Sequence, residues 1–173
     1  YISVSRLARA KHIDILVKTA NSMKFNLKIV GSGRDETYLR SIAGPTVEFL
    51  TGLSDEELKN VYHNAKAFLF ASVDEEFGIA PVEAMRYGVP VIAYSSGGLK
   101  ETVVDEVNGY LYSELKEESL IEKIKKLESL SEKEYGQMRK NARKEAEKYS
   151  EEVFKKKMEE FVKEKLGMLS VKS

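Results

Sequence analysis

Two glutamates eight residues apart form the most informative pair of side chains in the sequence. Glu75 and Glu83 flank a turn that contains Gly78, and an apolar segment at 67–71 precedes them. Carboxylates accept hydrogen bonds from hydroxyl groups, and backbone N–H groups at the start of a helix bind anions. The spacing therefore suits a polyhydroxylated ligand that carries phosphates, with the first glutamate in a loop and the second on a helix.

Short apolar segments define the elements that must hold this pair. They are predicted strands, and they lie at 1–4, 25–30, 47–50, 67–71, 90–94 and 109–112. Helical patterns separate them, and Ser54 with Glu57 has the pattern of a capping box at a helix start. Strict alternation of helices with continuous apolar strands predicts a doubly wound, Rossmann-like α/β fold, in which about six parallel strands have helices on both faces.

The sequence changes character after Glu114. This part is highly charged, and its apolar residues recur at helical spacing within 120–127 and 153–162. The pattern predicts two or three helices that pack at the edge of the sheet or extend away from it. We therefore divide the chain into a domain at 1–150 and a helical C-terminal tail at 151–173.

The composition excludes several classes of protein. The 28 basic and 28 acidic residues give zero formal net charge, so no overall field attracts nucleic acid or an anionic membrane. The absence of cysteine excludes disulfides and thiolate chemistry, and it agrees with a cytoplasmic location. No apolar run approaches the roughly 20 residues of a membrane span. Because the chain opens within a predicted strand, we expect that a preceding part of a longer protein has been removed.

Ligands of open α/β sheets bind beyond the carboxyl ends of the strands, so the loops there form the candidate site. Arg6 and Lys11 are its candidate cationic clamp, which would neutralise a diphosphate and stabilise it as a leaving group. Alone, each would be typical of a solvated surface residue, but five unusual loops would converge on one crevice. They contain Arg6 and Lys11, 31–33, 51–52, 72–78 and 95–98.

Two glycine pairs have more than one interpretation. Gly31 and Gly33 begin a dinucleotide-binding pattern, but Glu36 stands where its third glycine belongs, so no NAD site is expected. The pair fits either a tight turn or close approach of the backbone to a phosphate. The glycines at 97–98 precede a predicted helix at 99–104. The N–H groups at this helix start could bind an anion, or the glycines could simply form a turn.

Other polar residues are interpreted conservatively. The acidic cluster at 74–76 is more typical of solvated loop carboxylates than of a metal site, and no metal site is predicted. Glu83 alone would be an ordinary exposed acid, but its helix start faces the crevice. His12 and His63 lack the companions of a catalytic triad or a zinc site, so we predict structural or surface roles.

Seven segments together resemble the C-terminal, nucleotide-sugar-binding domain of GT-B glycosyltransferases of glycosyltransferase family 4, over about residues 1–150. Each segment is weak evidence alone, but their order and spacing are specific. They are S-R-L-A-R-A-K at 5–11, V-G-S-G at 30–33, F-L-T-G at 49–52, E-E-F-G-I-A-P-V-E-A-M at 75–85, G-V-P-V-I-A at 88–93, G-G-L-K-E-T-V at 97–103 and N-G-Y-L at 108–111.

The resemblance implies roles for individual residues. Arg6 and Lys11 would bind the donor diphosphate and offset the charge of the departing nucleoside diphosphate. Glu75 would hold sugar hydroxyls, and Glu83 would accept hydrogen bonds from the ribose. The other donor-binding residues are Gly31 and Gly33, the stretch Phe49, Leu50 and Thr51 at the base, and the sugar- and phosphate-lining amides of Phe77, Gly78 and Ile79.

The resemblance also implies an activity. The family retains anomeric configuration through an oxocarbenium-like transition state and binds its donor without a metal ion or other cofactor. His12 and Glu76 depart from the family, which usually has glycine at both positions, and Glu76 adds a negative charge beside the donor pocket. The D-E-E-F-G segment at 74–78 resembles mannosyltransferase-like members, which favours GDP-mannose as the donor over a UDP-sugar. The resemblance as a whole implies a role in polysaccharide biosynthesis.

The expected protein is thus one half of a GT-B enzyme. It would bind the donor alone, and it would transfer sugar to an acceptor glycan or lipid-linked sugar only with the missing N-terminal acceptor domain. The tail at 151–173 would cross to that domain. The enzyme is expected in the cytoplasm or bound peripherally at the inner membrane face. The alternatives are a nucleotide-sugar epimerase of the same architecture, which the R-x4-K and E-x7-E pairs disfavour, and a non-catalytic nucleotide-sugar-binding module.

Overall fold

The computed structural model describes residues 1–73 and 75–170, and its centre is a parallel sheet of six strands in the order β3-β2-β1-β4-β5-β6. Every neighbouring pair of strands runs parallel, and each predicted strand is observed within two residues of its predicted bounds. The strands are β1 (Ile2–Val4), β2 (Leu27–Val30), β3 (Val47–Leu50), β4 (Phe68–Phe70), β5 (Val91–Tyr94) and β6 (Gly109–Tyr112). Asp74 of the acidic cluster and residues 171–173 of the tail lie outside the described residues.

Helices cover both faces of the sheet, which confirms the doubly wound prediction. One face packs against the first, second and sixth helices, and the other packs against the third, fourth and fifth. The helices are α1 (Ile13–Met23), α2 (Glu36–Ile42), α3 (Asp55–His63), α4 (Ile79–Arg86), α5 (Leu99–Thr102), α6 (Glu117–Glu128), α7 (Glu132–Glu147) and α8 (Glu151–Ser170).

The central strands have apolar side chains on both faces, as a covered parallel sheet requires. Phe68 and Phe70 point into one core while Leu69 points into the other, and all three are almost fully buried. Burial on both faces explains why these strands appear in the sequence as continuous apolar runs rather than alternating patterns. The predicted capping box is also present, because Ser54 and Glu57 exchange hydrogen bonds at the start of α3.

Of the helices after Glu114, α6 and α7 pack differently from the predicted edge arrangement, whereas the exposed α8 fits the predicted alternative of a helix that extends away from the sheet. α6 lies over the face of the sheet, against α1 and β6, and buries Leu120, Ile124 and Leu127. α7 donates side-chain hydrogen bonds to carbonyl groups just before three strands. These bonds run from Tyr135 to Lys66, from Arg139 to Gly88 and from Asn141 to Val107, at 2.7, 2.9 and 3.0 Å. α7 therefore crosses the amino ends of the strands and leaves their carboxyl ends open.

The tail helix α8 exposes most of its described side chains. Phe154, Met158, Phe161 and Val162 are apolar and exposed, and they recur at helical spacing. Among the described helices, none has the length and apolar character that a membrane crossing requires. Near the start of α8, the ring of Tyr149 packs edge-on against Phe77, with 5.1 Å between ring centroids. The tail thus begins beside the carboxyl end of the sheet.

Candidate functional site

The candidate site lies where the strand order reverses. β1 pairs with β2 on one side and with β4 on the other, and the helices that follow β1 and β4 pack on opposite faces of the sheet, which leaves a crevice at the loops between them. This switch point is where open α/β sheets bind ligands. The first loop contains Arg6 and Lys11, and the second contains Glu75. The topology therefore places the two predicted groups of ligand-binding residues across one crevice.

Lys11 and Glu75 are in direct contact across this crevice. Lys11 closes a 3₁₀ helix at Arg9–Lys11, and its Nζ atom donates to Glu75 Oε2 at 2.6 Å. The same Nζ donates to Ser72 Oγ at 3.0 Å and lies 5.9 Å from the ring centroid of Phe70. The two loops are also joined through their backbones, because the Val73 N–H donates to the Ala10 carbonyl at 3.3 Å.

Ser72 is a site residue that sequence reasoning missed. It is fully buried, accepts the hydrogen bond from Lys11 and donates from Oγ to Glu75 Oε2 at 3.0 Å. The available signal was its position, a hydroxyl just after a buried strand at the switch point. The sequence marked it only as the start of a loop, because serine is common in loops.

Arg6 and Lys11 differ in their surroundings, although both were predicted to bind phosphate. Arg6 is exposed and forms no ion pair with any side chain that the structure describes. Lys11 is half-buried and paired with Glu75. An exposed guanidinium can therefore meet an incoming anion directly, whereas two of the three donors of the lysine ammonium already bond to Glu75 and Ser72.

The Gly31 and Gly33 turn packs against the loop that carries Arg6. A Cβ atom at Gly31 would lie 2.0 Å from the Ser5 carbonyl oxygen, and one at Gly33 would lie 2.2 Å from the Leu7 oxygen. The Leu7 N–H also donates to the Ser32 carbonyl at 2.9 Å. Close approach of two backbones thus accounts for both glycines, and their contact with a phosphate stays a prediction.

The glycine pair at 97–98 packs against the backbone of Glu75 and Glu76. Cβ atoms at Gly97 and Gly98 would lie 2.1 Å from the carbonyl oxygens of Glu75 and Glu76. The Gly98 N–H donates to the Glu75 carbonyl at 2.8 Å, so it is engaged by the protein and does not face an anion. The predicted helix at 99–104 is observed as the shorter α5.

Gly78 starts α4 and exposes the residues beside it. Its φ of +83° lies in the left-handed region, which glycine adopts without strain. Gly78 itself is buried, whereas Phe77 and Ile79 are 40% and 70% exposed. The side chains on either side of Gly78 therefore face solvent, and the backbone contacts of Phe77, Gly78 and Ile79 with a ligand stay a prediction.

Glu83 is held by an aromatic pair. Tyr62 Oη donates to Glu83 Oε2 at 3.5 Å, and the Tyr62 ring stacks on Tyr87 with 5.2 Å between centroids. Burial, and then the charge of Glu83, raises the pKa of the Tyr62 hydroxyl well above its ordinary value. Tyr62 therefore remains a hydrogen-bond donor at neutral pH, and its long bond is directed at one oxygen of the half-buried glutamate.

The predicted base-binding stretch ends β3, two strands away from β1. The ring of Phe49 is half-buried and packs below the guanidinium of Arg40, at 4.8 Å. The carbonyl of Leu50 accepts a hydrogen bond from the Gly31 N–H at 2.9 Å, and Thr51 is exposed. Of these three predicted base contacts, Thr51 is the most accessible to a ligand.

The two departures from the resembled family have different structural settings. His12 has φ +47° and ψ +39°, a left-handed conformation that glycine adopts more readily, and it separates the 3₁₀ helix from α1. Glu76 is exposed and forms no ion pair in the described part of the chain.

His63, the other histidine of the chain, packs edge-on against Tyr87, with 5.0 Å between ring centroids. Within residues 1–73 and 75–170, no group of acidic residues and histidines could hold a metal ion.

The fold and the site define an open α/β protein whose cationic and carboxylate groups meet at the sheet's switch point. The family described as Glycosyl transferases group 1 matches residues 1–145, so the chain belongs to this family. Two curated relatives support the assignment. An uncharacterized glycosyltransferase of Methanocaldococcus jannaschii, MJ1607, is 36% identical over 115 residues, which cover 61% of this chain and 30% of that protein.

The second relative is a GDP-mannose-dependent alpha-mannosyltransferase of Mycobacterium tuberculosis, 36% identical over 108 residues, with 62% of this chain and 28% of that protein covered. The chain thus spans less than a third of the length of either relative. The crystal structure of the pneumococcal O-GlcNAc transferase GtfA with UDP and GlcNAc superposes with a TM-score of 0.81 at 27% identity, covering 95% of this chain and 35% of GtfA. The fold is therefore that of the C-terminal half of a GT-B glycosyltransferase.

Proposed function

We propose that this chain is the donor-binding domain of a retaining, family 4 glycosyltransferase that transfers a hexose from a nucleotide-sugar. The observation that carries the proposal is the contact among Lys11, Ser72 and Glu75 at the switch point. A cation for phosphate and a carboxylate for hydroxyls meet there within hydrogen-bond distance. A nucleotide-sugar is a ligand that needs both groups at one place.

The residues suggest how the domain would assist transfer. Arg6 and Lys11 would neutralise charge that develops on the departing nucleoside diphosphate as the glycosidic bond breaks. The start of α4 would add backbone N–H groups and the positive end of a helix dipole beside the same phosphates. Glu75 and Glu83 would accept hydrogen bonds from the sugar and the ribose, and thereby orient the donor.

The similar proteins suggest two candidate donors for this chain. The M. tuberculosis relative is named for GDP-mannose, whereas GtfA was solved with UDP and GlcNAc. GDP-mannose is our first candidate because the 74–78 segment resembles mannosyltransferase-like members, and a UDP-sugar is the alternative. We propose that donor binding requires no metal ion and no cofactor.

Transfer itself would need groups that lie outside this chain. An acceptor glycan or lipid-linked sugar would bind to an N-terminal domain, and α8 would cross to that domain. Without acceptor positioning, the chain would bind donor but would not turn it over. Sugar transfer onto an acceptor by this chain alone would contradict this part of the proposal.

Calorimetric titration with GDP, UDP and ADP, each with and without Mg²⁺, tests donor binding. We expect one nucleotide to bind without metal and the Arg6→Ala/Lys11→Ala variant to lose most of that affinity. The matched control is Lys125→Ala/Lys144→Ala, which removes the same charge from exposed positions on α6 and α7. Failure of the folded wild-type protein to bind any of the nucleotides, or equal affinity of both double variants, would refute the assignment.

A further inference from the structure

The ion pair between Lys11 and Glu75 occupies both groups that a nucleotide-sugar would need. The Nζ to Oε2 distance is 2.6 Å, and the two side chains are only 28% and 22% exposed. A diphosphate needs the lysine ammonium, and sugar hydroxyls need the carboxylate. In the structure, Lys11 and Glu75 are each other's charge partner.

The backbone around this pair leaves little freedom for the glutamate. The Glu75 carbonyl accepts a hydrogen bond from the Gly98 N–H, and a Cβ atom at Gly97 would come within 2.1 Å of that same oxygen. Lysine, by contrast, has a flexible four-carbon side chain with three rotatable donors. The Glu75 backbone is thus anchored and its carboxylate is bonded to Ser72, whereas the Lys11 ammonium can change position through its flexible side chain when a ligand binds.

Ser72 is bonded to both members of the pair. Its Oγ atom accepts from Lys11 and donates to Glu75 Oε2, each at 3.0 Å, and the side chain is fully buried. When the lysine leaves, the bond from Ser72 to Glu75 can persist. That bond would keep the carboxylate oriented toward the crevice after its charge partner has moved.

We infer that donor binding exchanges the partner of Lys11 from Glu75 to the diphosphate, and that Ser72 is the positioning residue that holds Glu75 in place for the sugar. The inference rests on the proposed function, since it describes how the same site changes on binding.

The inference makes an unusual prediction for Glu75→Gln. The neutral side chain no longer holds Lys11 by charge, so a nucleoside diphosphate no longer competes with the carboxylate for the lysine. We expect Glu75→Gln to bind the nucleoside diphosphate about threefold to tenfold more tightly than wild type, the range for a partly exposed charged hydrogen bond. The nucleotide-sugar should gain less, because its hydroxyls lose a charged acceptor.

The matched control is Glu76→Gln, which removes the same charge from the neighbouring exposed glutamate, for which the described part of the chain provides no ion-pair partner. The probes are GDP and GDP-mannose, or UDP and UDP-glucose if UDP is the nucleotide that binds. Calorimetry then gives the affinity for each nucleoside diphosphate and the ratio between nucleotide-sugar and diphosphate. We expect Glu75→Gln to bind the diphosphate more tightly than Glu76→Gln does, which separates loss of the ion pair from a general charge effect.

Ser72→Ala tests the positioning role. We expect the extra affinity of the nucleotide-sugar over the diphosphate to fall about threefold or more, the loss typical of one hydrogen bond. A purely structural defect would instead weaken both ligands alike. Thermal unfolding of every variant confirms that it is folded before titration.

The outcomes separate the inference from the proposed function. If the wild-type protein binds no nucleoside diphosphate, both are contradicted. If it binds one, but Glu75→Gln binds it no more tightly than Glu76→Gln does, the exchange of Lys11 is overturned alone. If Ser72→Ala leaves the affinity ratio at the wild-type value, the positioning role of Ser72 is overturned alone.

Discussion

Side chains in the candidate site differ in how far their polar atoms are already paired. Lys11, Ser72 and Glu75 form a closed set of three hydrogen bonds, and Tyr62 holds Glu83. Arg6 is instead exposed and unpaired among the described side chains. Arg6 is therefore the cation that an incoming phosphate would meet first, and Lys11 would follow once it has left its carboxylate.

Two other buried hydroxyls offer a test of stability rather than of binding. Ser3 Oγ and Thr19 Oγ1 have no hydrogen-bond partner among the residues described, and both side chains are fully buried. Because an unpaired buried hydroxyl is destabilising, we expect Thr19→Val to raise the free energy of unfolding by about 1 kcal/mol. Urea denaturation measures the change.

The control for this substitution is Thr37→Val. Thr37 also lies on a helix, in the first turn of α2, but it is exposed, so the same change there removes no buried hydroxyl. A loss of stability in Thr19→Val beyond that of the control would show that the Thr19 hydroxyl is hydrogen-bonded in solution.

The loops at the carboxyl edge act as one connected set of elements. The loop after β1 bonds to the loop after β2 through Leu7 and Ser32, and to the loop after β4 through Ala10 and Val73. The 97–98 turn after β5 then bonds to Glu75. The position of Glu75 therefore depends on backbone contacts from several strands rather than on its own loop.

Gly98→Ala tests this connection. Gly98 has φ −66°, which alanine adopts readily, so the expected defect is steric and arises from the 2.1 Å approach of a Cβ atom to the Glu76 oxygen. We expect a loss of about 2 kcal/mol or more in the free energy of unfolding, together with weaker nucleotide binding. Urea denaturation and calorimetry measure the two effects.

Gly136→Ala is the matched control for that variant. Gly136 lies inside α7, and no described atom would lie within 4 Å of the added Cβ atom. Because alanine favours helix more than glycine does, this change should stabilise the protein by about 0.5–1 kcal/mol. Equal effects of the two substitutions would refute the steric argument at Gly98.

The elements could be predicted from the sequence because their signals are local. A buried parallel strand such as 91–94 is a continuous apolar run, and the capping box at Ser54 and Glu57 spans only four residues. For the sheet, the sequence predicted the doubly wound fold class but not the order of the strands. The path of α7 across the amino ends was not predicted, because its hydrogen bonds join residues 34 to 69 positions apart.

The site could be predicted in part for the same reason. Loop positions after strands identified Lys11 and Glu75, and the structure brings them into contact although they are 64 residues apart. The contact itself, the bridging hydroxyl of Ser72 and the support from Gly98 depend on which strands are neighbours in the sheet. Residue spacing along one chain does not contain that information.

In the molecule as a whole, the amino and carboxyl ends of the parallel strands have different roles. α7 covers the amino ends of β4, β5 and β6 with hydrogen bonds to the loops before these strands, while the candidate site lies at the carboxyl ends. α8 begins near those carboxyl ends and continues with little packing against the domain. Its described apolar side chains, including Phe154 and Phe161, are exposed.

This arrangement predicts that α8 contributes little to the stability of the domain. A variant that ends at Ser150 should keep its free energy of unfolding within about 1 kcal/mol of the full chain, because substitutions and deletions at exposed, unpacked positions have small effects. The urea m-value should also change little, since it scales with the surface that becomes exposed on unfolding. Urea denaturation gives both quantities, and calorimetry should show unchanged nucleotide affinity.

Loss of several kcal/mol together with a lower m-value would instead mean that α8 packs against the domain in solution. A double variant, Phe154→Ser/Phe161→Ser, separates the two cases in the full-length chain, because it removes apolar side chains without removing the helix. If these side chains are as exposed as the structure shows, the double variant should unfold at the same urea concentration as wild type. The exposed apolar face is then free to contact another part of the longer protein, as the proposed crossing to an acceptor domain requires.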